Sequence, residues 1–167
     1  MRATNKHATT FTTPSDTDVV VTRVFDAPAK LVFDAHTSCK HMPNWMGPYG
    51  WEMSECKNDL RPGGEFRYTW SKPGGSGITI TGVNKEVDPP RRVVSTESWG
   101  DPWPVSTNTI EFTEVGGQTT LVMTIRYANK EARDTALGTG MKDGMTVGYE
   151  RLDEYLQTQM GELRWET

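Results

Sequence analysis

Residues 141–156 read MKDGMTVGYERLDEYL, and the fold turns on them. Met141, Met145, Gly148, Tyr149, Leu152, Tyr155 and Leu156 fall at i, i+4, i+7, i+8, i+11 and onward, one stripe of a 3.6-residue period. Lys142, Asp143, Glu150, Asp153 and Glu154 occupy the other side. The segment is therefore a long amphipathic helix, and its apolar stripe needs a surface to cover. Just before it, Asn129 is a candidate helix cap, and Gly138 with Gly140 predicts a kink or a break.

Upstream the period changes to two. Residues 18–25, DVVVTRVF, suit a strand, followed by a short helix that opens at Pro28 with Asp26 as its cap. A second short helical piece is expected from residue 38 to about 44, interrupted by Pro43. Six further strands are expected at about 51–58, 65–70, 78–87, 92–99, 105–115 and 119–127. Between them lie turn signals: Arg61-Pro62-Gly63-Gly64 as a type II turn, Pro73 to Gly77, Asp88-Pro89-Pro90, and Gly116-Gly117 as a hairpin. Short turns between consecutive strands imply antiparallel pairing. A curved sheet of such strands must cover its concave face, and the last helix is the element available. The class is α+β: a curved antiparallel sheet wrapped around a long C-terminal helix, with two short helices after the first strand. Residues 1–16 read as a polar, Thr-rich flexible tail, 17–160 as one domain and 161–167 as a C-terminal tail.

A formal net charge of -4 and a pI near 5.4, without clustered Lys or Arg, exclude a phosphate-binding surface and so nucleic acid. No run of apolar residues is long enough to insert into a membrane, and the N-terminus has no apolar centre of the secretory type. Cys39 and Cys56 read as free thiols, with a disulfide between them left open, and a cytoplasmic location is expected. No cofactor is implied.

Four segments in order, FDAPAKLVFDAHT (25–37), LRPGGEFRYTW (60–70), EVDPPRRVV (86–94) and TGMKDGMTVGYERLDEYL (139–156), resemble the SRPBCC or START-like, birch-pollen-allergen-like superfamily. Within it the chain is similar to the branch named for the activator of the heat-shock protein 90 ATPase. The resemblance covers residues 18–156 and implies a helix-grip fold with a pocket between sheet and last helix. It implies no single activity, since the superfamily holds ligand carriers, lipid-transfer domains and polyketide cyclases.

The lining expected for that pocket is soft: Phe66, Tyr68 and Trp70 from one strand, Met123 and Ile125 (with Leu121) from another, and Met141, Met145 and Tyr149 from the helix. The same stripes would equally serve a filled core. Gly140, Gly144 and Gly148 make a bare edge on the helix, for a ligand or for close backbone packing. Trp45, Trp51, Trp99 and Trp103 lie in or beside Gly/Pro-rich loops, where they stack on a ligand or pack as a lid; Trp45 and Trp99 join the candidate lining. His36, Cys39 and His41 match no standard metal spacing, so no metal site is expected. Glu97 shares a strand face with Ser95 and Trp99. Pointing inward, it would be a costly carboxylate unless Arg67, Arg126 or a ligand paired with it; shifted by one residue, it would be solvated. Glu97, His36 and His41 are the candidate catalytic groups.

Three functions follow as expectations. The first is a module binding a small hydrophobic or amphipathic molecule, such as a lipid. The second is a cavity enzyme of cyclase, hydratase or hydrolase type. The third is an interaction domain acting on a chaperone ATPase, in a stress response. A homodimer is compatible with the sequence, which marks no interface.

Overall fold

The structure is a computed structural model that describes residues 7–47 and 49–166, with side chains up to Glu162. The elements are β1 (Thr10–Thr12), β2 (Asp18–Phe25), α1 (Ala29–Thr37), a 3-10 turn (Met42–Asn44), β3 (Glu52–Asn58), β4 (Glu65–Ser71), β5 (Gly77–Asp88), β6 (Arg92–Glu97), β7 (Ser106–Val115), β8 (Gln118–Tyr127), α2 (Lys130–Leu137) and α3 (Met141–Glu166). Among the described residues the strands form one sheet in the order β1-β2-β8-β7-β6-β5-β4-β3, antiparallel throughout. The fold is the helix grip.

Alternation builds it. In β4, Phe66, Tyr68 and Trp70 are buried while Glu65 and Arg67 are exposed. The β7–β8 hairpin closes Val115 onto Gln118 across Gly116 and Gly117, both at positive φ as a two-residue turn requires. A bulge between Asn84 and Glu86 bends β5 away from β6. Nearby, a Cβ on Gly82 would collide with the Thr96 carbonyl and the Phe66 ring, so only glycine lets the sheet fold this tightly there.

The stripe on α3 covers the concave face. Tyr149, Leu152 and Leu156 are buried, and the Tyr149 ring meets Phe25 edge-on at 5.6 Å. Arg23 on β2 is fully buried beneath the helix. Its Nη1 donates to the Val24 carbonyl at 2.8 Å, its guanidinium lies over Phe25, and its Nη2 stands 3.6 Å from Asp153 Oδ2 on α3. Buried on the sheet side, this ion pair holds the helix to one register. The helical segment breaks where expected: α2 ends at Gly138, Gly140 takes φ +82, and Asn129 Oδ1 caps α2 by accepting from the Ala132 N–H at 2.8 Å.

Four expectations change. Residues 10–12, read as tail, form an eighth strand: Thr10, Phe11 and Thr12 pair with Thr22, Val21 and Val20 on the free edge of β2. Residues 161–166, read as tail, continue α3. Asp26 does not cap α1. Its Oδ1 lies within hydrogen-bond distance of His7 Nε2 (3.1 Å) and accepts from Gln118 Nε2 (2.7 Å), Pro28 is the cap residue, and the Ala29 N–H donates to Glu114 Oε1 at 2.7 Å. Finally, Cys39 and Cys56 are not free: they form a disulfide with Cα atoms 5.8 Å apart. Cys56 stands opposite Tyr68 on the concave face, beneath the chain leaving α1, a closeness that spacing of 17 residues does not announce.

The inner face of α1 packs Phe33 edge-on to Phe112, with the His36 ring among Trp45, Phe112 and Tyr149. His36 Nδ1–H donates to the Val32 carbonyl at 2.7 Å, and Nε2 has no partner among the described residues. Burial outweighs that hydrogen bond and pushes the His36 pKa down to about 4.

Two predictions follow from this packing. Non-reducing peptide mapping recovers Cys39 and Cys56 as one linked pair, and reduction lowers stability by about 3 kcal/mol, read as a melting point about 6–12 °C lower. His36 is neutral in the fold, whereas the unfolded chain protonates it near its ordinary 6.5. Its contribution is therefore full above that value and lost as pH falls towards 4, by roughly 3 kcal/mol. Denaturant titrations from pH 7 to pH 4 should show a shallower loss for His36→Phe than for the wild type.

Candidate functional site

The site lies on the concave face of β6, β7 and β8. Register places Glu97 opposite Ser106 and Ser106 opposite Tyr127, with Ser95, Asn108 and Ile125 forming the next row. Val93 and Phe112, in phase with these residues, belong to the core, while Arg92 and Glu111 pair on the outer face at 3.4 Å. Glu97 therefore points inward.

A directed chain of hydrogen bonds ends on it. Ser106 Oγ donates to Asn108 Oδ1 at 2.9 Å, and Asn108 Nδ2 donates to Glu97 Oε2 at 2.5 Å. Among the described residues no cation pairs with it. Arg67 and Arg126, the partners expected from sequence, sit on the outer face because each lies between inward residues. Arg67 bonds Glu55 at 2.7 Å, and Arg126 grips Asp18 with two bonds of 2.9 Å. Burial pushes the Glu97 carboxyl above the usual carboxylate range, with the Asn108 bond opposing. Burial, then the field of Glu97, pushes the Tyr127 phenol up to about 12 and raises those of Tyr68 and Tyr149.

Around this acid the covering is incomplete. Ile110 and Met123 lie on the inner face of the two central strands, yet both remain partly exposed, as do Ser95, Glu97 and Met145. The glycine edge of α3 borders open space: a Cβ on Gly144 or Gly148 would meet nothing within 4 Å. Close backbone packing is therefore not what these glycines serve. One turn beyond Gly148, Arg151 Nη1 donates to the Gly47 carbonyl at 2.5 Å and its guanidinium lies over the Tyr49 ring, joining helix to loop. Tyr49, Trp99, Trp103 and Val105 are exposed in the loops at residues 45–51 and 98–105.

The other expected residues divide. Phe66, Tyr68 and Trp70 face inward on the far limb of the sheet, with Met42 and Ile80 in a second apolar cluster. The Tyr68 hydroxyl makes no hydrogen bond among the described residues, whereas Trp70 Nε1 donates to the Met46 carbonyl at 3.0 Å. Trp45 is core: buried, stacked on Tyr149, its Nε1 donating to the Ala35 carbonyl at 2.9 Å. Ile125 is buried. Met141 and Met123 accept weak bonds from the Tyr127 and Tyr149 hydroxyls, each at 3.9 Å. His36 lies in the core described above. His41 is buried elsewhere, its Nδ1 2.6 Å from the Tyr155 hydroxyl, and desolvation lowers its pKa. Among the described residues no three His, Cys, Asp or Glu side chains converge as a metal site, and Cys39 is oxidised. Ser106 and Asn108 were missed, although a signal existed: two polar residues in phase with Phe112 interrupt an apolar face.

The model of the family described as Activator of Hsp90 ATPase homolog 1-like protein matches residues 26–157. A crystal structure of a protein from Rhodobacter sphaeroides is 30% identical with a TM-score of 0.83, covering 90% of this chain and 98% of that one. Proteins of Nitrosomonas europaea and Mycobacterium smegmatis are each 25% identical with TM-scores of 0.79, covering 89% of this chain and 99% and 96% of theirs. No curated protein matches. With the fold and a family match over most of its length, the chain belongs to the activator of Hsp90 ATPase homologue 1-like family of the SRPBCC superfamily.

Proposed function

We propose that this protein binds a small hydrophobic or amphipathic molecule in the cleft between the sheet and α3. The observation that carries the reading is the partial exposure of Ile110 and Met123. Mid-sheet side chains facing the covering helix are normally sealed, and leaving them wet forgoes roughly 25 cal/mol per Å² of burial. A ligand recovers that burial. Family membership supports a cavity domain, and the soft thioethers of Met123, Met141 and Met145 suit an adaptable apolar site. Turnover would call for a second acid or base held in the same place. The bonded partner of Glu97 is Asn108, which does not titrate, so binding is the better-supported reading.

Native mass spectrometry of the purified protein, alone and with added decanol, tests it; a stoichiometric adduct is expected, and a bare protein in both samples counts against it. Gly148→Leu sharpens the test. Open space receives the side chain, and removing a helical glycine raises the melting point by about 2–4 °C. The same side chain narrows the cleft and weakens decanol binding by about tenfold or more. A more stable variant with unchanged affinity would place the ligand elsewhere.

A further inference from the structure

We propose that the ligand's polar end is a protonated amine, received by the Glu97 carboxylate inside the cleft. The proposal rests on the cleft reading above and adds the head-group chemistry.

The hydrogen bonds around Glu97 have a direction. Ser106 donates to the Asn108 carbonyl oxygen, which turns the Asn108 amide nitrogen towards Glu97. Ser106 and Asn108 are themselves buried, so this orientation is held by packing. Glu97 is thus built as an acceptor, and an ionised carboxylate offers about four lone-pair sites, of which Asn108 fills one. What the site lacks is positive charge. Arg67 and Arg126 are committed to Glu55 and Asp18 on the outer face. Arg151 is turned to Gly47 and Tyr49. A carboxylate that is mostly desolvated, with one neutral donor and no counter-charge, carries a cost that a bound cation offsets.

The surroundings suit an ammonium carried on an apolar body. Tyr127 stands one strand beyond Ser106 in the same row as Glu97, and Tyr68 and Tyr149 lie within its electrostatic reach. Aromatic faces attract cations, while the apolar stretch of Met123, Ile110 and Met145 takes the hydrocarbon. A carboxylate head would meet Glu97 as a like charge, and an alcohol would supply a hydrogen bond without charge.

The test compares decylamine, decanol and decanoic acid below their micelle-forming concentrations, by tryptophan fluorescence titration and native mass spectrometry, on wild type, Glu97→Gln and Gly148→Leu. Glutamine preserves the shape and the bond from Asn108 while removing the charge, so Glu97→Gln folds with a melting point no lower than wild type. In wild type, decylamine should bind about tenfold or more tightly than decanol, with decanoic acid weakest. In Glu97→Gln the amine preference should disappear while decanol binding stays within about twofold. Gly148→Leu should weaken all three, which separates cleft binding from adsorption to an acidic surface. Equal binding of the three heads, or an amine preference surviving in Glu97→Gln, overturns the head-group assignment and leaves the cleft reading standing. Failure of all three to bind overturns both.

Discussion

One helix has to cover the concave face of a sheet with eight strands. Strands lie about 4.8 Å apart, so the sheet laid flat would be roughly 35 Å across, while a helix with its side chains is about 10–12 Å wide. The chain meets this mismatch by bending the sheet at the β5 bulge and at Gly82, and by laying α1 with the following loop beside α3. Coverage is densest over β2 and β8, where Arg23, Phe25 and Leu121 meet Tyr149, Leu152 and Leu156. The far limb relies on its own aromatic cluster and on the loop pinned by the Cys39–Cys56 disulfide. Between the two covered zones lie the partly exposed Ile110, Met123 and Glu97.

Polar groups inside are distributed by the same logic. Where α3 seals the sheet, the buried charge of Arg23 has the Val24 carbonyl and Asp153 beside it. Farther along β6, Glu97 has the Asn108 amide and, among the described residues, no cation. Asn84 on β5, buried against the turn between β3 and β4, donates to Asn58 Oδ1 and the Asp59 carbonyl. The disulfide leaves the two cysteines giving no argument for a reducing compartment, since they are not free thiols.

The amphipathic period of residues 141–156, the alternation in β4 and the Gly-Gly hairpin were sufficient for the class and most element boundaries, because they are local signals whose period matches the backbone geometry. The residues at 10–12 escaped notice because three residues carry no period; they are a strand only because β2 offers an unpaired edge. Asp26 resembles a cap in sequence, but His7 and Gln118 compete for it from distant positions.

The candidate site divides along the same line. That Glu97 shares a strand face with Ser95 is legible in the chain, since side chains alternate along any strand. That this face is the concave one was decided by which neighbours β6 acquired, Asn84 of β5 opposite Ser95 on one side and Ser106 of β7 opposite Glu97 on the other. Alternation likewise required Arg67 and Arg126 to point away from Phe66 and Tyr127, but their partners, Glu55 and Asp18, come from pairing across strands. By itself the sequence determined the elements, their amphipathic faces and the presence of one acid in an apolar phase, all set by short-range geometry. Tertiary structure alone decided that the acid would stand, among the described residues, without a cation beside partly exposed apolar side chains, because that depends on which faces meet and where one helix is too narrow to cover a sheet.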